Sequence, residues 1–168
     1  MTDVDERVEE RLLPEAYVQV VCKRKAEAAV QQLTFENRVT PGLTVIAADT
    51  VVALDGEIFG KPEDAADAKR MLLALQDRTH QVFTGITLAT LDVAAPRYIT
   101  DICVTNVTFK ALSRSEIIAY IETGEPLDKA GSYAVQGVGA SLIEKVDGDF
   151  NNVVGISTVR LKALLSTL

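Results

Sequence analysis

Leu43-Thr44-Val45-Ile46-Ala47-Ala48 is a short, nearly continuous apolar run that ends in Asp49-Thr50 and goes on as Val51-Val52-Ala53-Leu54, Asp55-Gly56 and Glu57-Ile58-Phe59. The reading of this stretch decides the fold. Residues 43–48 look like a strand buried on both faces, because no polar residue alternates with the apolar ones. Residues 51–54 stay extended, and Asp55-Gly56 is a hairpin signal, since both residue types tolerate the positive φ that a two-residue turn demands. Gly60-Lys61-Pro62 then breaks the pattern. A helix is predicted from about Glu63 to Leu75, with acidic residues in its first turn, where the dipole favours them, and Ala68, Met71, Leu72 and Leu75 as its apolar stripe. Upstream, Pro14 to Leu33 reads as a helix. Pro14 suits the first turn, where a missing N–H costs nothing, and Ala16, Val20, Val21 and Ala28 recur at helical spacing. Pro41-Gly42 marks the turn between that helix and the apolar run.

Downstream, His80 to Leu91 and Tyr98 to Phe109 are two long β-rich segments with a turn at Pro96 between them. Ser113 followed by Glu116 reads as a capping box opening a helix, with Ile117, Ile118 and Ile121 toward the core and Gly124 as its stop. Asp128 to Gly139 is loop-rich, Ala140 to Val146 is strand-like, and Val159 to Leu165 is a closing helix. Helices alternate with strands, so the class is α/β with a mixed sheet.

The chain has 168 residues, 48% apolar and 24% charged. That suits one domain, 1–168, which buries roughly 70% of its unfolded surface and needs no staples. It excludes disordered, collagenous and coiled-coil classes. The net charge is −7 and Lys and Arg are scattered, with only Lys23-Arg24-Lys25 consecutive. A duplex-binding protein would show a basic face, so nucleic acid is not an expected partner. No apolar run approaches the ~20 residues that span a bilayer, so no membrane association is expected. Met1 to Glu6 is acidic and lacks the apolar core of a signal peptide, which makes the cytoplasm the expected compartment. Cys22 and Cys103 are too few for a disulfide framework. With His80 as the only histidine, a Cys/His zinc site is not expected either, and both cysteines read as buried thiols.

Several polar residues fall at strand ends or beside glycines. Asp49 stands where the apolar run stops, and is either a turn-forming Asp or a carboxylate that holds a divalent cation or takes a proton from water. Lys61, between Gly60 and Pro62, is either a solvated lysine or a cation aimed at phosphate. Lys129 in Asp128-Lys129-Ala130-Gly131 allows the same two readings. Gln136, before Gly137, is a turn residue or an amide that reads the edge of a base, since it offers both donor and acceptor. Asp3, Asp5 and Glu6 form an acidic cluster that ordinarily marks a solvated terminus. No P-loop or GxGxxG fingerprint is present, and His80 reads as a strand-start residue capping a turn.

Taken together these segments resemble a known family. Ala48-Asp49-Thr50-Val51-Val52, Asp55-Gly56 and Gly60-Lys61-Pro62 look like the first signature of the Maf family, house-cleaning nucleoside triphosphate pyrophosphatases also called septum formation inhibitor proteins. The match continues through Thr79-His80-Gln81-Val82-Phe83-Thr84-Gly85 and Tyr120-Ile121-Glu122-Thr123-Gly124-Glu125-Pro126. Asp128 to Gly137 looks like the second signature and Asn152-Val153-Val154-Gly155 like the last. Asp3-Val4-Asp5-Glu6 with Lys25-Ala26 resembles the family's D-I-D-E … K-A segment. The resemblance spans essentially the whole chain.

It implies an elongated Maf-like, ITPase-like α/β fold, a mixed sheet flanked by helices with a deep nucleotide cleft. It implies attack of a metal-activated water on a nucleoside triphosphate, giving monophosphate and pyrophosphate, with Mg or Mn as the cation. Asp49 corresponds to the general base or metal-linked carboxylate and Glu6 to a second acidic group near the metal. Lys25 and Lys61 correspond to phosphate-holding residues, with Lys129 as a further substrate-binding cation. The pairs Asp49-Thr50 and Gln136-Gly137 resemble the dTTP/UTP branch of the family, whereas the branch preferring 7-methyl-GTP carries Asp-Gln and a Glu. Thr50 and Gln136 are therefore the expected specificity residues, and dTTP, UTP and modified pyrimidine nucleotides the expected substrates. Homodimers are a further implication.

The chain also departs from the pattern. Relatives open with a strand and a Ser-x-Ser-Pro-Arg-Arg phosphate loop ahead of D-I-D-E, and this chain starts at that segment, so that strand and loop are expected to be missing. A misassigned start, a truncated paralogue and a degenerate gene compete as explanations; the intact downstream motifs speak against decay. The alternative function is a catalytically inactive nucleotide-binding or cell-division regulator. Gln76-Asp77 stands where relatives have Ser-Gly, and Ser157 where many have Pro.

Overall fold

The computed structural model describes residues 12–91 and 95–168. Helix α1 (Pro14–Phe35) leads into strand β1 (Thr44–Leu54) and the short β2 (Glu57–Phe59), followed by α2 (Ala65–Leu75). The long strands β3 (Thr79–Thr90) and β4 (Arg97–Phe109) come next, then α3 (Arg114–Glu122) and three 3-10 turns at Glu125–Asp128, Ala130–Ser132 and Gly137–Leu142. Strand β5 (Ile143–Asp147), α4 (Phe150–Val154) and α5 (Thr158–Leu165) close the chain. The five strands form one sheet in the order β2-β1-β3-β4-β5. The α/β class holds. Every pair among the described residues is antiparallel, so the parallel part of the expected mixed sheet is not found among them.

Local signals set most of these boundaries. Asp55 and Gly56 have φ of 52° and 80°, and Leu54 pairs with Glu57 across them, the primed two-residue turn that the sequence called for. Asp64 caps α2 by accepting from the Asp67 N–H at 2.8 Å, so the helix opens at Ala65, two residues inside the predicted start at Glu63. The Ser113–Glu116 capping box is complete, with Ser113 N–H donating to Glu116 Oε2 at 2.7 Å and Glu116 N–H to Ser113 Oγ at 3.2 Å. Asp77 has a φ of 56°, in the left-handed region that Asp tolerates better than most non-glycine residues. Ser157 caps α5: its hydroxyl accepts from Arg160 N–H and donates to Asp149.

Packing corrects several sequence readings. The buried half of β1 is Val51–Leu54, while residues 44–50 are partly exposed and Ile46 is 45% exposed. The run at 43–48 is thus not the doubly buried strand that its apolarity implied: α1 covers one face of it through Ala26 and Val30, while α2 and α3 lie over the other end of β1. In α1 the buried stripe is Val18, Val21, Cys22, Ala26 and Val30, rotated from the predicted Ala16, Val20, Val21 and Ala28. In α3 Ile117 is buried, but Tyr120 takes the place expected for Ile118, which is 42% exposed. The strand predicted over 140–146 is β5 at Ile143–Asp147, preceded by a 3-10 turn. Both cysteines are buried, and burial pushes the Cys22 thiol up, so it stays a protonated packing group.

Two layers cover the sheet. One face packs on α1 through Val18, Val51, Ala53 and Phe83. The other holds the largest cluster, where Val52, Val82, Val107 and Phe109 meet Leu72 and Leu75 of α2 and Ile117 of α3. Gly85 allows α1 to lie close on the first face: a Cβ there would stand 2.7 Å from the Val18 carbonyl oxygen and 2.8 Å from Cys22 Sγ. Gly85→Ala should therefore force α1 off β3, lowering stability by about 2 kcal/mol and the thermal midpoint by about 4–8 °C. Calorimetry of the variant checks this; an unchanged midpoint means the helix can shift without cost.

Candidate active site

Asp49 lies in the middle of β1, opposite Gly85 of β3, and not at a strand end as its place after the apolar run implied. Strand alternation turns its side chain to the α1 face. There Lys25 of α1 meets it, with Nζ 2.6 Å from Asp49 Oδ1. The Asp49 side chain is 9% exposed and that of Lys25 27%, so the pair is shielded from bulk water and stronger than a surface ion pair. The close approach at Gly85 is what brings α1, and with it Lys25, within reach.

Thr50 points to the opposite face. Its hydroxyl is 2.8 Å from that of Thr84, which donates to the Asn152 carbonyl at 3.1 Å, and it also approaches the Gly155 carbonyl at 3.3 Å. Each hydroxyl has one proton, so the consistent chain is Thr50 to Thr84 to the Asn152 carbonyl. Asn152 is fully buried and donates to the Val82 carbonyl at 3.0 Å and to Thr105 Oγ1 at 3.1 Å. These bonds tie the Asn152–Gly155 motif to β1, β3 and β4.

Lys61 and Lys129 sit on two turns that are bonded to each other: Gly131 N–H donates to the Gly60 carbonyl at 3.0 Å. Gly131 has a φ of 67°, and a Cβ on it would come within 2.7 Å of Val52, so only glycine lets this turn close onto β1. Lys129 pairs with Asp128, and that contact holds the Asp128 carboxyl below its ordinary range.

These segments enclose a cavity of about 480 Å³, within the range of small-molecule sites. Lys25, Asp49, Lys61, Asp128 and Lys129 supply its charges, three cations against two anions in a chain whose net charge is −7. Val52, Val82, Tyr133 and Val153 supply an apolar wall. Such a site takes an anion attached to an apolar body. Of the residues singled out from sequence, Lys25, Asp49, Thr50, Lys61 and Lys129 come together here. Gln136 is exposed and does not line the cavity, and Glu6, with Asp3 and Asp5, falls outside the described residues. Sequence reasoning passed over Tyr17 and Tyr133 as site residues; Tyr133 stood only as one letter of a motif, with no chemical signal of its own.

The fold and the cavity define an α/β protein built to hold a polyanionic small molecule. The Maf-like protein family matches residues 1–168, and the chain belongs to that family. A protein of Aliivibrio fischeri named dTTP/UTP pyrophosphatase is 43% identical over 97% of this chain and 82% of its own length. Proteins of the same name from Shewanella denitrificans and Bacillus velezensis are 39% and 43% identical, over 99% and 93% of this chain and 80% and 77% of their own lengths. No described helix is long and apolar enough to cross a membrane.

Pyrophosphatases of this family generally need a divalent metal. The described residues contain no group of three or more His, Cys, Asp or Glu that could form an all-protein metal cage. Asp49 places a carboxylate in the cavity wall, which fits the binding mode of Mg, one or two carboxylates completed by substrate phosphate oxygens.

Proposed function

We propose that this chain is a nucleoside triphosphate pyrophosphatase acting on dTTP and UTP. The observation that carries the reading is the convergence of Lys25, Asp49, Lys61 and Lys129, from three separate parts of the chain, on one cavity with an apolar wall. The name shared by relatives at about this level of identity supports the substrate.

Phosphoryl transfer needs positioning and charge neutralisation more than covalent help. Lys61 and Lys129, held side by side by the Gly60–Gly131 bond, bind phosphate oxygens. Lys25 holds Asp49 in place, and Asp49 takes a proton from the attacking water. The water oxygen bonds to the α-phosphorus, the α–β bridging bond breaks, and pyrophosphate leaves. Asp49, with Glu6 as the second carboxylate, would hold a divalent cation, Mg or Mn, which would supply charge neutralisation and water activation. Thr50 fixes the β1 backbone beside the cavity through Thr84. From outside the cavity wall, Gln136 is the proposed reader of a base that extends beyond it, its amide matching the O4 and N3–H edge of uracil or thymine.

Pyrophosphate release from a nucleotide panel with Mg and Mn tests the reading. The expected result is turnover of dTTP and UTP well above that of purine nucleotides. A strong preference for 7-methyl-GTP overturns the base assignment. Binding without turnover moves the protein to the regulatory reading.

A further inference from the structure

Gln136 lies in a loop, residues 134–139, whose two ends meet. A Cβ on Gly139 would run into the Ala134 carbonyl oxygen and stand 2.6 Å from Tyr120 Oη. Tyr120 belongs to α3, and its ring is buried in the largest core cluster. Its hydroxyl accepts from Ala134 N–H at 3.1 Å and donates to Glu125 Oε2 at 2.8 Å. The same carboxylate oxygen accepts from Gly139 N–H at 2.7 Å, and Glu125 Oε1 accepts from Val138 N–H at 3.1 Å. One phenol and one carboxylate thus hold three backbone N–H groups, one before Gln136 and two after it. Gly137, with a φ of 79°, lets the chain turn over the carboxylate, because a Cβ there would strike Glu125 Oε1.

The bonds to Glu125 are of the strong, charge-assisted kind. Desolvation raises its carboxyl, but the bonds from Tyr120, Gly139 and Val138, with the Lys129 cation, outweigh it and hold the group below its ordinary range. It is therefore ionised at neutral pH and acts only as an acceptor. Gln136 itself is exposed, and among the described residues its amide has no hydrogen-bond partner. Its place is set by the backbone that carries it. Tyr133, three residues earlier, lines the cavity, so the Gln136 backbone is no more than about 11 Å from the cavity wall.

We propose that Tyr120 and Glu125 are positioning residues for base recognition: by clamping Ala134, Val138 and Gly139 they fix the loop that presents the Gln136 amide to a pyrimidine base. The inference rests on the pyrophosphatase reading and on Gln136 as the base reader. It deepens that reading by assigning the specificity of the site to two residues that touch no substrate.

Tyr120→Phe keeps the ring in the core and removes the hydroxyl. It should raise KM for UTP about fivefold, the worth of one neutral hydrogen bond, with kcat changed less than about twofold. Competition by ribose 5-triphosphate, which has no base, should not change. Gln136→Ala should weaken UTP at least as much, and the double variant should be no weaker than Gln136→Ala alone, because the clamp acts only through Gln136. Glu125→Ala should reproduce the KM effect, and Glu125→Gln, which keeps one acceptor oxygen, should recover part of it. If Glu125→Ala does not fold, the Tyr120 and Gln136 cycle still decides. An unchanged KM in Tyr120→Phe overturns the proposal, as do multiplying effects in the double variant. Equal weakening of UTP and ribose 5-triphosphate does the same, since it marks a merely structural role. A Gln136→Ala protein with unaltered KM defeats the base assignment and the proposal with it. A wild-type protein that releases no pyrophosphate defeats the pyrophosphatase reading instead, and the same cycle in calorimetric UTP affinities then judges the clamp. Failure of the wild type to bind UTP overturns both.

Discussion

Asp49→Asn should lower dTTP and UTP turnover by about 10³-fold, within the range that general-base and charge-positioning groups contribute, while nucleotide affinity changes by less than about tenfold. The substitution is nearly isosteric. The asparagine carbonyl can still accept from Lys25 Nζ, now 2.6 Å from the carboxylate, so the approach of α1 to β1 is kept. What is lost is the negative charge and the basicity at one point in the cavity wall. Lys25, 27% exposed, can turn to water, so the fold should lose little stability. Pyrophosphate release measured beside calorimetric binding of dTTP separates the two effects. Turnover that survives places the base elsewhere; loss of binding and turnover together makes Asp49 a structural residue of the pocket.

The second large effect is on stability and comes from His80. Its pKa is about 4 in the folded chain, held down by burial, against 6.5 for the ordinary side chain. Between these values the unfolded chain binds a proton that the folded chain does not. Stability is therefore complete above pH 6.5 and falls as pH drops toward 4, by about 3 kcal/mol in all at ~1.4 kcal/mol per unit. Carboxylates held below their ordinary range, such as Glu116 through its bonds to Ser113, add to the loss in the same direction. They are common to wild type and to His80→Gln, so the difference between the two urea-midpoint profiles isolates His80. The wild-type curve should fall more steeply between pH 6.5 and 4. Parallel curves would mean that the imidazole charges inside the fold.

Much of the fold was legible because its signals are local. Asp55-Gly56 dictates a hairpin through its own backbone preferences, Ser113 and Glu116 cap a helix by bonding to each other's backbone, and Pro14 starts one by what it lacks. These interactions span a few residues and survive whatever the rest of the chain does. The direction in which an element faces is different. The apolar run at 43–48 and the half of β1 that is buried do not coincide, because burial depends on where α1, α2 and α3 come to rest. Ile118 and Tyr120 are both apolar enough to face inward, and only the packing partner chose between them.

The same division runs through the site. The sequence by itself determined the element order, the turn and cap positions, and the motifs that mark the chain as Maf-like, together with the residue types able to handle phosphate. Only the tertiary structure decided that Asp49 stands mid-strand against Lys25, that Lys61 and Lys129 become neighbours through the Gly60–Gly131 bond, and that Gln136 lies outside the cavity wall. It also decided that His80, read as a strand-start turn residue, is enclosed between Phe109 and Tyr133. The physical reason is that turns and caps are fixed by bonds between neighbours in the chain, whereas burial, ion pairing and access to a cavity depend on residues tens of positions away, whose approach the close packing of α1 at Gly85 and of the second turn at Gly131 sets.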